Sequence, residues 1–225
     1  MARVIGRTPA SIAYKLMNFT SFDQERQKKG NKGKEGAGKL DEIVWNEYLS
    51  EWEKLANDST EILSKIQSRP IEEIITMEED RVDYMGKERE QIIKIRINQY
   101  DFRQRILASY NDKYCITGID IPDVLVASHI IPWSINEKER LNPRNGLCLN
   151  SLHDKAFDKG LLTITPNFRV CLSKRIMEKK SHNIHQEFFG QFDNKSIALP
   201  DRYLPDTNFL IWHNTNVFEK FDNGK

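Results

Sequence analysis

The sequence predicts an α+β protein, and three stretches carry that prediction. Between residues 41 and 55, Ile43, Val44, Tyr48, Leu49, Trp52 and Leu55 recur at intervals of three and four, the period of a helix with one buried face. Residues 124–130, VLVASHI, have the apolar, β-branched content of a buried strand. Residues 145–157 run from an Asn-Gly through a short apolar stretch to Ser151 and an amphipathic segment carrying Ala156 and Phe157. Helices come first, and a strand–loop–strand–helix unit follows.

A chain of 225 residues, 39% hydrophobic and 30% charged, is long enough for one large domain or two modest ones with a real core. No apolar run approaches the roughly 20 residues a membrane helix needs, and residues 1–10, MARVIGRTPA, lack the apolar centre of a secretory signal. No membrane association is expected. The three cysteines, Cys115, Cys148 and Cys171, are widely separated, which argues against a disulfide framework and for the cytoplasm. The net charge of +1 is an average: residues 1–40 hold nine Lys/Arg against three Asp/Glu, and residues 41–90 hold six against fifteen. Such segregation permits a basic binding face beside an acidic one.

In chain order, residues 7–19 read as a short helix, with Thr8 as N-cap and Pro9 in the first turn. Ile12, Leu16 and Phe19 are expected on its inner face, while Arg7 and Lys15 point elsewhere. It is either a groove-binding helix or an ordinary surface one. Residues 27–39 follow, with five Lys and four Gly. Residues 33–39, GKEGAGK, approach a phosphate-binding loop, but Leu40 stands where the magnesium-binding hydroxyl belongs, which excludes nucleotide hydrolysis. Lys28, Lys29, Lys32 and Lys34 instead form a basic loop, solvated or touching phosphates. The helix over 41–55 is expected to break at Asn57–Ser59 and restart at 60–67. Residues 68–91 read as an acidic connecting segment. Residues 92–97 alternate as a short strand, and Asn98 caps a helix that turns Phe102, Ile106 and Leu107 inward and Arg103 and Arg105 outward. The expected organisation is thus 1–67, basic and helical; 68–91, a linker; and 92–225, the domain that carries the chemistry.

Arg96, Gln99, Phe102-Arg103, Tyr110 and Cys115-Ile116-Thr117-Gly118 form a progression that leads into ASHIIPW (127–133), NPRNGLCLN (142–150) and LHDKAFDKGLLTI (152–164). This progression, with His129, Asn145 and His153 in that order, resembles the HNH nucleases of bacterial restriction systems over roughly the C-terminal 60% of the chain. The resemblance implies a ββα-metal (His-Me finger) nuclease domain that cuts double-stranded DNA with one divalent ion, Mg or Mn, in a restriction role of type II or modification-dependent kind. It also implies a homodimer, since two strands must be cut and two-fold symmetry matches a palindrome.

The residue chemistry agrees with that implication. His is the side chain half-deprotonated near neutral pH, so His129, towards the end of its strand, suits a general base. His153, at the helix start, is the expected metal ligand. Asn145 is expected to tie the loop across the site and orient His129, as the resemblance implies. Many such nucleases carry a metal-binding Asp just before the base, whereas this chain has Ser128. The remaining ligand is then Asp158, Asp154 or Asn150, with Asp158 slightly preferred. Arg144 either holds a phosphate oxygen or is solvated, and Arg103 joins the expected DNA contacts. No Cys-x-x-Cys pair is present, so no structural zinc is expected. His182, His185 and His213 are read as structural. The competing reading, from Ser128, is a DNA-binding module whose centre has decayed.

After the site, residues 161–165 and 168–172 are expected to pair around Pro166-Asn167. Residues 206–221 form a last helix with Phe209, Leu210, Trp212 and Val217 on its apolar side.

Overall fold

The computed structural model describes residues 2–31, 33, 37–75, 87–178 and 183–218. It is an α+β structure of helices and two small antiparallel sheets, as the patterning predicts. Two compact units divide it, residues 1–100 and 101–225. The expected boundary before Ile92 and this division both fall inside one helix.

In the first unit, α1 (Pro9–Thr20) starts as the sequence predicts, with the Thr8 hydroxyl accepting from the Ser11 amide at 3.2 Å. Its packed face is different from the expected one. Asn18 donates to Asp41 at 3.0 Å, Lys15 pairs with the same carboxylate at 2.7 Å, and Phe19 stacks near Trp45, whereas Leu16 is 60% exposed. Lys15, and then Asn18, hold the Asp41 carboxyl below its usual range. A polar pair thus sets the rotation of the helix, and Leu16 lies outside the arc it defines.

The helix α2 (Gln24–Lys28) is capped by Asp23, and α3 (Lys39–Tyr48) and α4 (Trp52–Gln67) follow. The break between the last two falls at residues 49–51, where Ser50 has a φ of 67°, and not at Asn57–Ser59. Asp58 accepts from the Tyr48 hydroxyl at 2.9 Å, and the polar side chains on either side of it bend back onto their own helix. Asn57 donates to the Glu53 carbonyl at 2.7 Å, and Ser59 and Thr60 both donate to that of Ala56. After the single turn α5 (Ile71–Ile74), α6 runs unbroken from Lys87 to Ser109. The strand expected at 92–97 is therefore helical. Ile97 is buried, and Lys94 reaches Glu53 on α4 at 3.0 Å. Tertiary packing outweighs the β-branched alternation of a six-residue window.

The second unit is built on the hairpin β1 (Leu125–His129) and β2 (Gly146–Asn150), antiparallel, with His129 opposite Gly146 and Leu125 opposite Asn150. The C-terminal half of α6 covers the face that His129 and Gly146 share: a Cβ on Gly146 would lie 2.2 Å from Ile106 and 2.9 Å from Phe102. Only glycine lets the helix approach this closely. Arg103 fastens the start of β1 by donating to the carbonyls of Leu125, at 2.6 Å, and Pro122, at 3.0 Å. Cys115 extends the hairpin edge through its amide to the Cys148 carbonyl, 2.9 Å. Both cysteines are free and buried, and burial pushes both thiols up, that of Cys148 to about 12.

The helix α7 (Ser151–Asp158) follows β2 directly and packs on both strands. Its N-cap is Asn150, one residue before the expected Ser151, with its side-chain oxygen accepting from the His153 amide at 2.8 Å. A second hairpin, β3 (Leu162–Ile164) with β4 (Val170–Leu172), sits where two strands were expected. The helices α8 (Lys174–Met177) and α9 (Asn183–Phe188) come next. The expected last helix is α10 (Thr207–His213), continued by a wider π turn over Asn214–Phe218; the rest of that expectation lies outside the described residues. Phe102, Ile106, Leu125, Leu147, Leu149, Phe157, Leu162 and Ile164 form a core that is at most 2% exposed. Each such side chain contributes about 1.5–3 kcal/mol of burial. Among the described residues no helix is long and apolar enough to cross a membrane.

Candidate active site

His129 ends β1 with its ring fixed on three sides. One face stacks on Phe102, centroids 3.8 Å apart and planes within 11°, and the edge of Trp133 lies at 5.4 Å. The third contact fixes the chemistry: Nε2 lies 2.8 Å from the Arg140 carbonyl oxygen. A carbonyl can only accept, so Nε2 carries the proton and Nδ1 keeps its lone pair. Burial lowers the pKa of the imidazole, with the Arg140 carbonyl opposing, so the neutral ring is favoured.

Asn145 lies at the end of a 3-10 turn, Pro143–Asn145, that leads into β2, and is fully buried. Its side-chain oxygen accepts from the Ile131 amide at 2.8 Å, and its Nδ2 donates to the carbonyls of Ile131 and Glu139, both at 3.1 Å. One amide thus ties the two ends of the loop together, one residue from each of the two backbone groups that frame His129. All three of these side-chain hydrogen bonds go to backbone groups of the loop.

His153, the expected metal ligand, lies in the core at the start of α7. It is 2% exposed, and both ring nitrogens are occupied. Nε2 lies 2.7 Å from the Phe188 carbonyl and donates to it, while Nδ1 lies 2.6 Å from the Tyr114 hydroxyl and 3.2 Å from the Asn150 side-chain oxygen. Phe189 and Phe192 meet the ring edge-on at 4.9 and 5.8 Å. Burial lowers its pKa as well. In this structure both ring nitrogens are hydrogen-bonded, and the imidazole shares no partner with His129. The pattern of a His opening a short helix cannot by itself tell a ligand from a pin that holds the helix down. Tyr114, the missed partner, was visible only as a tyrosine preceding Cys115.

Asp154 and Asp158 lie four residues apart on α7, the spacing that puts both carboxylates on one helix face. Burial, and then the charge of Asp154, raise the pKa of the Asp158 carboxyl. Two carboxylates that oppose each other's ionisation form a site that gains from a cation. Among the described residues no group of three or more His, Cys, Asp or Glu is arranged to hold a metal. Two carboxylates with water are, however, what a magnesium ion ordinarily takes from a protein, so the pair fits a hard divalent ion. Asn150, the other expected ligand, has its oxygen on the His153 amide. Ser128 is 2% exposed with no hydrogen-bond partner for its hydroxyl, and strand alternation puts it on the opposite face of β1 from His129.

Of the basic residues expected to meet DNA, Arg103 has its guanidinium on backbone carbonyls, so its position is structural. Arg144 is part-exposed beside Asn145, and its carbonyl accepts from the Asp206 amide at 3.0 Å. Arg7, Lys28 and Lys29 are exposed, and Lys15 is paired with Asp41; these four belong to the first unit. Lys32 and Lys34 lie outside the described residues, as does His182. Arg140 and Trp133, which frame the His129 ring, had no signal in the sequence beyond a polar loop and a tryptophan after a proline. No curated protein matches the chain. Residues 114–165, from the tyrosine that pins His153 to just past the second hairpin's first strand, match the family model described as HNH endonuclease.

Proposed function

We propose that this protein is a metal-dependent DNA endonuclease of restriction type, and that His129 is its general base. The carrying observation is the hydrogen bond from His129 Nε2 to the Arg140 carbonyl. It leaves Nδ1 unprotonated in a ring that burial keeps neutral. Nδ1 takes a proton from water as the water oxygen bonds to phosphorus and the bond from phosphorus to the 3′ oxygen breaks, the departing oxygen taking a proton from solvent to become the 3′ hydroxyl. Asn145 keeps the loop closed so that the ring does not turn. A divalent ion, Mg or Mn, held by Asp154 and Asp158 would relieve charge on the phosphate and on the departing oxygen. His153 acts as a positioning residue that seats the start of α7.

Arg7, Lys15, Lys28, Lys29 and Arg144 are proposed phosphate contacts. The proposed assembly is a homodimer in the cytoplasm, since cutting both strands of a two-fold-symmetric site takes two copies of one centre. Ser128 favours a second reading, a DNA-binding module that no longer cuts, because the strand offers a hydroxyl where a carboxylate was expected.

One experiment separates the two. Supercoiled plasmid is incubated with the full chain and Mg or Mn, alongside His129→Ala and Asp158→Asn. Linear or nicked product that disappears in His129→Ala, and that needs more metal in Asp158→Asn, supports the enzyme. DNA retention without cleavage in either metal supports the module.

A further inference from the structure

The loop between β1 and β2 contains a brace that no sequence pattern marked. Arg140 donates from Nε to the Trp133 carbonyl at 2.8 Å. Its guanidinium lies 5.3 Å from the Trp133 ring centroid, and one Nη reaches Glu137 at 3.0 Å. The same residue's own carbonyl accepts from His129 Nε2, and the Trp133 ring meets His129 edge-on. The circuit closes on itself: His129 touches Trp133, Trp133 holds the Arg140 side chain, and the Arg140 backbone holds His129. Asn145 fixes the neighbouring carbonyl of Glu139 from the other side.

We infer that Arg140 is a positioning residue for the proposed general base: its side chain, clamped to Trp133, fixes the carbonyl that selects the Nε2–H tautomer of His129. The inference rests on the nuclease reading for its catalytic consequence and on geometry alone for its structural one. The two contacts contribute unequally. The Glu137 carboxylate is 79% exposed, so that ion pair is screened. The bond to the Trp133 carbonyl and the ring contact need a planar guanidinium with an Nε–H, which lysine lacks.

The test uses the full chain with 15N-labelled histidine. Long-range proton–nitrogen spectra are expected to show His129 as a pure Nε2–H tautomer in the wild type, and as a mixture with the Nδ1–H form in both Arg140→Met and Arg140→Lys. Glu137→Gln is expected to keep the wild-type tautomer. In the plasmid assay the two Arg140 variants are expected to lose about tenfold or more in kcat, with KM within about twofold, because only the proton-transfer step is affected. Arg140→Lys keeps the charge and the apolar stem, so it serves if the methionine variant does not fold. A pure Nε2–H signal in Arg140→Lys overturns the inference, as does a mixture in Glu137→Gln matching that of the Arg140 variants. The tautomer is read without any cleavage, so a protein that proves not to be a nuclease leaves this test standing.

Discussion

Gly146 is a point of close approach between α6 and the first hairpin, and a single methyl group there tests how the His129 ring is seated. A Cβ built on it lies 2.2 Å from Ile106 Cδ1, 2.7 Å from Ile106 Cγ1 and 2.9 Å from Phe102 Cζ. Ile106 is fully buried and Phe102 is 2% exposed, so neither side chain can swing into solvent. Gly146→Ala is therefore an overpacking change, with an expected cost of about 1–3 kcal/mol. Ile106→Val removes Cδ1, the nearest atom, and alone costs about 0.5–1.5 kcal/mol. In the double variant the worst contact is gone, so its cost is expected to fall short of the sum by about 1 kcal/mol. Urea titrations followed by tryptophan fluorescence measure all four corners of the cycle, read as midpoint shifts at constant slope. Phe102 is also the plate on which His129 stacks, so Gly146→Ala should broaden or shift the His129 ring signals and the double variant should restore them in part. A Gly146→Ala protein within about 0.5 kcal/mol of wild type, or a strictly additive cycle, would refute the close approach of α6 to the hairpin.

Three further outcomes are expected. His153→Ala leaves the Phe188 carbonyl and the Tyr114 hydroxyl without partners and opens a cavity, so it costs about 3–5 kcal/mol in urea titrations; a loss below about 1 kcal/mol would return His153 to the role of ligand. Because burial depresses the pKa of the base, kcat/KM for plasmid cleavage should rise with pH and level off, with its midpoint below the 6.5 of free imidazole; a midpoint above that value removes His129 as the base. His213, 1% exposed between Thr163 and the Phe157 carbonyl, has its pKa pushed down to about 4 from 6.5. Its folded pKa is the depressed one, so the stability it supports is complete above pH 6.5 and declines as pH falls towards 4, by about 3 kcal/mol in all; His213→Gln should flatten that decline, and an unchanged slope would exclude His213 as its source.

Much of this fold was legible because its signals are local. The Thr8 cap, the apolar run of β1 and the turn before β4 each depend on a few consecutive residues, and each lies where the sequence put it. The failures were signals whose outcome depends on distant partners. Residues 92–97 have the alternation of a strand, but Lys94 meets a glutamate 41 positions earlier and Ile97 is buried, so the segment stays helical. Asn57–Ser59 looks like a break only until Asn57 and Ser59 find the carbonyls of their own helix. Leu16 fits an apolar stripe, yet Asp41 holds the neighbouring face of α1.

The site divides along the same line, and the division bears on what the motif encodes. For His129 and Asn145, the sequence placed one residue at a strand end and the other before a glycine, and backbone groups of the loop between β1 and β2 supply the hydrogen bonds of both, with Phe102 of α6 added at His129. Their positions were legible from short-range signals. His153 has its amide on Asn150, but its ring is set by Tyr114, 39 residues before it, and Phe188, 35 residues after it. An isolated motif cannot report either contact. The carboxylates at 154 and 158 are then left as the only pair from the expected ligand set that shares a helix face without hydrogen bonds tying it to the core. If the proposed reading holds, the two histidines of the motif divide the work: the first is tuned to move a proton, and the second holds in place the helix that carries the acids. Exchanging the two jobs would require breaking six ring hydrogen-bond or stacking contacts at His153 and three at His129, and it is this packing, more than the spacing of the letters, that would keep their proposed roles apart.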